Sequence, residues 1–329
     1  MNLRLSVGLP SNPRTRPILS GQVKVEGIDL VANAFPTTEL FWRQLRFADF
    51  DVSEMSLSSM ITAQSRGDER WVGLPVFTTR RFFHAGILVR RDAGIETPVD
   101  LKGKRFGLPE YQQTGALWLR GVLQHEFGVL PRDMEFWVER APLHCDPHEA
   151  GPAPPPDVAI YRIAPEKNLG SMMLSGELQA ALYYRTEPNR IDRSTADLWS
   201  HPDFRTLFAD PVAEAARYRR KTGIYPINHA MVIRKEIAQN DPWALPRLLE
   251  AFNRANEVAD RERMEHVEYY VASGLLPREA KDALQTPIVQ HGIAANQHVL
   301  ETATRYACEQ ALTARQIQLD EIFAASTMA

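Results

Sequence analysis

Four short segments of this 329-residue chain bring together the residue types that acid–base and anion-binding chemistry requires. In Asp51-Val52-Ser53-Glu54-Met55-Ser56, the residues Glu54, Ser56 and Ser58 fall at or beside an expected helix start. Two readings stand for Glu54: an acid that favours the helix dipole behind a Ser53 cap, or a cleft acid or base. In Phe77 to Gly86, Arg80 and His84 flank aromatic residues. A guanidinium facing a cleft grips a carboxylate through two parallel bonds, each charge-assisted bond contributing about 1.5–3 kcal/mol. The other reading makes Arg80 a surface residue and His84 a hydrogen-bonded core residue. Read as a strand, the segment puts Phe82 and His84 on one face and Phe83 on the other.

The third segment, Pro109 to Trp118, is a strand-to-helix loop running into an amphipathic helix. Free N–H groups at such a helix start attract an anion, and Thr114 adds a hydroxyl at the expected cap. Arg120, six positions on, is rotated away and reads as a salt-bridge partner. The fourth, Thr222 to His229, contributes His229; with His84 it would supply a group titrating near neutral pH if both faced one cleft. His144, Cys145, Asp146 and His148 mix metal-ligand types, but a Pro-rich surface loop carries such scattered polar residues, and no metal is expected.

The elements that must position these residues alternate. Leu3 to Val7, Val23 to Leu30, Phe47 to Val52, Trp71 to Pro75 and Phe82 to Val89 read as strands, and Thr38 to Leu45 and Leu57 to Gln64 as helices. Further strands follow at Lys104 to Leu108, Met134 to Val138, Val158 to Tyr161, Ala180 to Tyr184 and Gly223 to Ile233, with a helix at Gly115 to Phe127. Leu245 to Ala259, Arg263 to Ala272 and Asn296 to Ala311 read as helices. The order implies an α/β fold of two lobes, each a mostly parallel sheet flanked by helices. Lobe 1 is expected at 1–88 with 229–329 and lobe 2 at 89–228, so two crossings form a hinge beside a cleft.

With 38 Lys+Arg against 41 Asp+Glu, the chain has no global positive field, which argues against nucleic acid as a partner. No apolar run approaches the roughly 18 residues that span a bilayer, and two cysteines cannot form a disulfide framework. The N-terminal residues lack the basic, apolar and small-residue succession of an export signal, so a cytoplasmic location is expected. Glycine-rich nucleotide loops, zinc-protease helices and nucleophile elbows are all missing.

Four stretches, Asp51 to Met60, Arg80 to His84, PEYQQTGALWLRGVLQHEFGV from Pro109 to Val129 and TGIYPINHAMVI from Thr222 to Ile233, make the chain resemble the 4,5-dihydroxyphthalate decarboxylase family. Weaker similarity covers most of the remaining chain. It departs in the loop after the first strand, where Ser11-Asn12-Pro13-Arg14 stands in place of a segment that usually carries an acid. The resemblance implies a fold like that of type II periplasmic binding proteins and a carboxy-lyase that converts a hydroxylated phthalate, 4,5-dihydroxyphthalate, to protocatechuate without a cofactor. It further implies His229 or His84 as proton donor and Glu54 as the group that orients or deprotonates the phenol. Arg80, Arg14, Ser56, Tyr111, Gln112, Thr114 and Gly115 would bind the aromatic dicarboxylate. A non-catalytic solute-binding protein for an aromatic acid is the alternative, because this architecture serves both roles. The apolar helix faces are compatible with a homo-oligomer and equally with packing inside one chain.

Overall fold

A computed structural model describes residues 2–141, 155–184, 191–284 and 288–328 of the chain. The His144, Cys145, Asp146 and His148 cluster lies outside the described residues. Leu5, Val7 and Leu9, alternating along β1 (Leu3–Leu9), are all buried in the first of two sheets. β1 lies parallel to β2 (Ile28–Ala34) and to β3 (Val52–Ser56). α2 (Thr37–Phe47) follows the short α1 (Arg16–Leu19) and leads into β3, and α3 (Leu57–Ser65) leaves β3 with no intervening loop. β4 (Trp71–Arg80) closes the edge, and β11 (Ile227–Arg234) returns between β3 and β4, antiparallel to both. The strand order is β2-β1-β3-β11-β4.

The second sheet has the order β10-β5-β9-β6-β7-β8. Its members are β5 (Leu88–Arg90), β6 (Arg105–Leu108), β7 (Glu135–Val138), β8 (Ala159–Arg162), β9 (Ala180–Ala181) and β10 (Phe204–Thr206). Pairing is parallel from β9 through β6 and β7 to β8, and antiparallel where β5 meets β9 and β10. Both sheets are thus mixed. Antiparallel pairing enters each of them through the strands that border the crossings, β11 in the first and β5 in the second.

Two departures from the sequence expectations bear on the site. β4 does not stop at Pro75: Met231 pairs with Leu74 and His229 with Thr79, so five steps on β4 face two on β11. The extra residues form a bulge on an edge strand, where a proline costs no interior ladder bond. The expected strand Phe82 to Val89 is replaced by a 3-10 turn, His84–Gly86, and only then β5. Phe83, His84 and Ala85 are all buried there, so no face alternation survives the change of direction.

α4 (Thr114–Phe127) packs between the lobes, and the Trp118 indole N–H donates to the Ile227 carbonyl at 2.8 Å. One continuous apolar cluster runs from Met55 and Leu57 through Leu117 and Trp118 to Phe106 and Phe136, joining the sheets behind the cleft. After α5 (Leu169–Leu174) and α6 (Pro211–Thr222), the chain passes through α7 (Lys235–Asn240) to α8 (Ala244–Ala272). α8 is a single helix where the sequence suggests two, since the charged run Asp260 to Arg263 breaks the apolar stripe without breaking the helical hydrogen bonds. Leu245, Leu248 and Phe252 on α8 cover Leu5, Val7 and Met231 of the first sheet. α9 (Arg278–Leu284), α10 (Gln297–Glu309) and α11 (Leu319–Ile322) complete the fold.

His84 is sealed into this frame. Its Nε2 lies 3.2 Å from Glu214 Oε1, and Arg217 holds the same carboxylate through Nε at 2.7 Å and Nη2 at 2.8 Å. Burial alone would push the Glu214 carboxyl up, but the bonds from Arg217 and His84 outweigh it and hold the pKa at about 2, below the ordinary 4.5. A carboxyl depressed in this way adds stability above its unfolded pKa, and that stability is lost as pH falls from about 4.5 toward 2. Chemical denaturation at pH 6 and pH 3 should therefore find Glu214→Gln less stable than the parent at pH 6, with a shallower loss on acidification. Equal losses in the two proteins would contradict this.

Candidate active site

The cleft between the lobes is built at the carboxyl end of β3, where ligands of open α/β sheets gather. Val52, Glu54 and Ser56 share one face of β3. The antiparallel register sets His229 opposite Ser56 and Met231 opposite Glu54. His229 and Glu54 are therefore diagonal neighbours on that face, within reach of two long side chains. The face is apolar at Val52 and Met231, and it turns polar at the cleft end.

There Glu54, with no exposed surface, accepts a hydrogen bond from His229 Nδ1 at 2.6 Å through Oε1. An ionised carboxylate only accepts, so the bond fixes the imidazole hydrogen on Nδ1 and leaves Nε2 for other chemistry. Nε2 accepts from the Asn228 amide nitrogen at 2.7 Å, and the edge of the Phe41 ring meets the imidazole with centroids 4.8 Å apart. Glu54 Oε2 is buried and has no hydrogen-bond partner. Arg14, whose Nε donates to the Thr78 carbonyl at 2.7 Å, is close enough for the two charges to interact: burial lowers its pKa and the Glu54 charge opposes that.

His229 and Asn228 open onto a cavity of about 280 Å3 between the lobes. Ser56, Ser59, Thr79 and the rings of Phe41 and Trp42 line it from the first lobe. Opposite, Arg140 holds Asp192 through Nε at 2.8 Å and Glu110 through Nη1 at 3.1 Å. Thr38 reaches across the gap to donate to Asp192 at 2.9 Å. Burial pushes the Glu110 carboxyl up, and the charge of Arg140 opposes it. The positive charge of Arg140 is thus met by two carboxylates.

Arg81 is different. It lines the cavity, lies 6.0 Å from the Phe83 ring centroid and 5.5 Å from that of Tyr184, and its guanidinium makes no hydrogen bond or ion pair to any described residue. The Tyr184 hydroxyl beside it is buried without a partner, and burial raises its pKa, which keeps it a donor. Gln113, at the N-cap of α4, lines the same wall, and its Oε1 is also unpartnered. No side chain caps α4, and its N-cap residue Gln113 is at the cavity wall, so the positive end of the helix dipole points toward the cleft.

The structure thus brings Glu54, Ser56 and His229 together and sets other sequence candidates apart. Thr114 does not wait for a ligand: its hydroxyl bonds Ser56 Oγ at 2.7 Å and accepts from the Ser58 N–H at 3.0 Å, tying α4 to the β3–α3 junction. Gly115 serves close packing, because a Cβ there would come within 2.8 Å of the Phe83 ring. Gln112 is buried, and its carbonyl accepts from Ser58 Oγ. Arg80 turns away from the cavity: Nη1 donates to the Tyr225 carbonyl at 3.0 Å, Nη2 bonds Asn296 Oδ1, and burial pulls its pKa down to about 10. His84 is held by Glu214, and Tyr111 lies under Arg120 on the far side of the α4 loop. Arg81, Asn228, Tyr184 and the Glu110–Arg140–Asp192 cluster were not singled out from sequence. Arg81 and Asn228 sit beside residues that were, and Tyr184 ends a strand the sequence predicted. Among the described residues, no group of three or more His, Cys, Asp and Glu side chains is arranged to hold a metal ion.

No protein-family model matches the chain. In fold it is similar to the periplasmic aliphatic sulphonate binding protein SsuA of Escherichia coli, with a TM-score of 0.56 at 14% identity over 100% of this chain and 99% of that one. A Candida albicans gene product described as having the generic periplasmic binding protein structural fold gives 0.51 at 12% identity, covering 97% and 93%. These likenesses show a two-lobed fold of the periplasmic-binding-protein type. In sequence, the chain is 31% identical over 329 residues to 4,5-dihydroxyphthalate decarboxylase of Comamonas testosteroni, covering 98% of this chain and 96% of that protein. It is 35% identical over 219 residues to the enzyme of the same name from Pseudomonas putida, covering 66% and 82%. With a match of that extent to the Comamonas protein, the chain belongs to the 4,5-dihydroxyphthalate decarboxylase family.

Proposed function

We propose that this protein is a carboxy-lyase that removes one carboxylate from 4,5-dihydroxyphthalate to give protocatechuate, with His229 as the proton donor. The observation that carries the reading is the buried Glu54 carboxylate behind His229, which presents the far imidazole nitrogen to a cavity lined by a guanidinium that pairs with no described residue. A protein that only captures a solute needs the guanidinium but has no use for a buried acid–imidazole pair. The cavity, about 280 Å3, is at the small end of ligand pockets and suits one substituted ring.

In this reading Arg81 binds the carboxylate that is kept, aided by the Tyr184 hydroxyl and the start of α4. Glu110 and Asp192, engaged by Arg140 beyond Tyr184, repel carboxylates from their part of the wall and so direct the dianion toward Arg81. The ring carbon bearing the departing carboxylate then faces His229. Each carboxylate of this substrate has a hydroxyl para to it, which pushes electron density toward that carbon. The imidazolium of His229 transfers its Nε2 proton there, forming the ring C–H bond. The bond to the carboxylate breaks, its electron pair restores the aromatic ring, and CO2 leaves. His229 regains a proton from solvent, so one proton is consumed per turnover. Glu54, shielded from the cavity, orients the imidazole rather than touching the phenol. Asn228 suits both states of the ring, because its amide donates to a neutral Nε2 and, rotated, accepts from a protonated one.

The lobe division 1–88 with 229–329 and 89–228 is part of this proposal, supported by the passage of the chain from the first sheet after Arg80 and its return at Ile227. So is a cytoplasmic setting for breakdown of aromatic acids, which the low cysteine content favours. No described helix is long and apolar enough to cross a membrane.

Purified protein incubated with 4,5-dihydroxyphthalate should release CO2 and form protocatechuate. General acid catalysis contributes about 10²–10⁴-fold, so His229→Asn should lower kcat by that order with KM little changed, and Glu54→Gln should lower kcat by about 10²-fold. Wild-type kcat in the folded variants would refute the assignment. Loss of a charge-assisted carboxylate contact corresponds to about 10–100-fold, so Arg81→Ala should raise KM by that factor while Arg80→Ala leaves it nearly unchanged. The reverse pattern would return the carboxylate site to Arg80.

A further inference from the structure

Repulsion uses only the charge of Glu110, and its geometry offers more. Glu110 follows the carboxyl end of β6, where the Glu139 N–H donates to the Leu108 carbonyl at 3.1 Å and the Arg140 N–H to the Pro109 carbonyl at 2.9 Å. These backbone bonds bring the Glu110 and Arg140 side chains together at the cavity wall, with Arg140 Nη1 donating to Glu110 Oε2 at 3.1 Å. The other oxygen, Oε1, is buried and has no hydrogen-bond partner among the described residues. A carboxylate oxygen removed from water without a donor is costly, so it marks a place for one. Burial has the largest influence on this group and raises its pKa above the ordinary 4.5, against the charge of Arg140 and hydrogen bonds from Gln112 and Arg140. Oε1 is therefore more basic than the oxygen of an exposed carboxylate.

The substrate of the decarboxylase reading, on which this inference rests, carries two donors at the end of its ring away from the carboxylates. A hydroxyl is neutral and donates, so the wall that turns away the dianionic end accepts the diol end. We infer that Glu110 Oε1 accepts the hydroxyl para to the departing carboxylate, which selects a hydroxylated ring and makes Glu110 the base of the reaction. As His229 protonates the ring carbon, electron density drawn from the para oxygen turns that hydroxyl into a strong acid, and its proton passes to Glu110. The ring is then an uncharged cyclohexadienone with the carboxylate on a tetrahedral carbon. The bond to that carboxylate breaks, its electron pair restores the ring as a phenolate, and CO2 leaves. Glu110 returns its proton to the phenolate oxygen.

The test begins with binding in His229→Asn, where slow turnover spares the ligand, measured by calorimetry with 4,5-dihydroxyphthalate and with phthalate, which lacks the hydroxyls. The dihydroxy compound should bind about 10–100-fold more tightly, as a charge-assisted hydrogen bond requires. Adding Glu110→Ala should remove most of that preference, whereas a merely structural loss would weaken both ligands alike and keep their ratio. With His229 intact, Glu110→Gln keeps the shape and an acceptor but not the basicity, and it should lower kcat by about 10²-fold with KM little changed. A ratio that Glu110→Ala leaves unchanged overturns the inference, as does wild-type kcat in Glu110→Gln. If Glu110→Ala does not fold, Glu110→Gln decides alone. A parent protein that releases no CO2 yet shows the Glu110-dependent ratio refutes the decarboxylase reading and leaves hydroxyl recognition by Glu110 standing.

Discussion

The hydrogen bond between Glu54 and His229 is the constraint from which the rest of the site follows. A carboxylate with no exposed surface is stable only where a partner meets its charge, and here one oxygen has the imidazole at 2.6 Å. The pair spans two adjacent antiparallel strands, so its geometry depends on the β3–β11 register. A slip of one residue would turn His229 to the opposite face and leave the carboxylate buried alone. The bulge in β4 completes the arrangement, because it lets an edge strand of ten residues set Thr79 beside His229 while its earlier half pairs regularly.

The lobes around this pair are joined on two levels. Behind the cleft, apolar side chains of both sheets and of α4 form one cluster, and a large apolar interface resists free hinge motion. In front, the contacts are polar: Ser56 and Ser58 meet Thr114, and Thr38 meets Asp192. The back of the molecule thus fixes the distance between the walls, and the front adjusts their chemistry. One wall carries an acid–imidazole pair, and the other a guanidinium and a phenol without hydrogen-bond partners among the described residues, beside the start of α4. The paired carboxylates of Glu110 and Asp192 restrict where a dianion can lie. A fold shared with solute-binding proteins becomes catalytic through the residues that it places in its cleft.

Much of this was legible in the sequence, and what was not has identifiable causes. Glu54, Ser56 and His229 stood out because a polar residue at the end of an apolar strand faces a ligand or a partner, and the α/β order indicated which strand ends mattered. Their pairing was not legible, since 175 positions separate them and only the strand register joins them. Arg80 was singled out and Arg81 was not considered, since the β4 bulge and the 3-10 turn that set Arg81 at the cavity are tertiary features that override simple alternation. His84 was linked to the cleft by its place near the expected crossing, where the chain instead turns and buries three consecutive side chains. Arg120 was read as a salt-bridge residue, but among the described residues its guanidinium has an amide and a phenol ring as neighbours and no carboxylate.

The central claim is that His229, oriented by Glu54, gives its proton to the ring carbon. Its most direct test is turnover of 4,5-dihydroxyphthalate by His229→Ala supplemented with imidazoles of graded pKa. The account predicts that the variant alone is nearly inactive, and that added imidazoles restore protocatechuate formation at rates that follow their acidity. Wild-type turnover by the unsupplemented variant, or a lost rate that no imidazole restores, would contradict it.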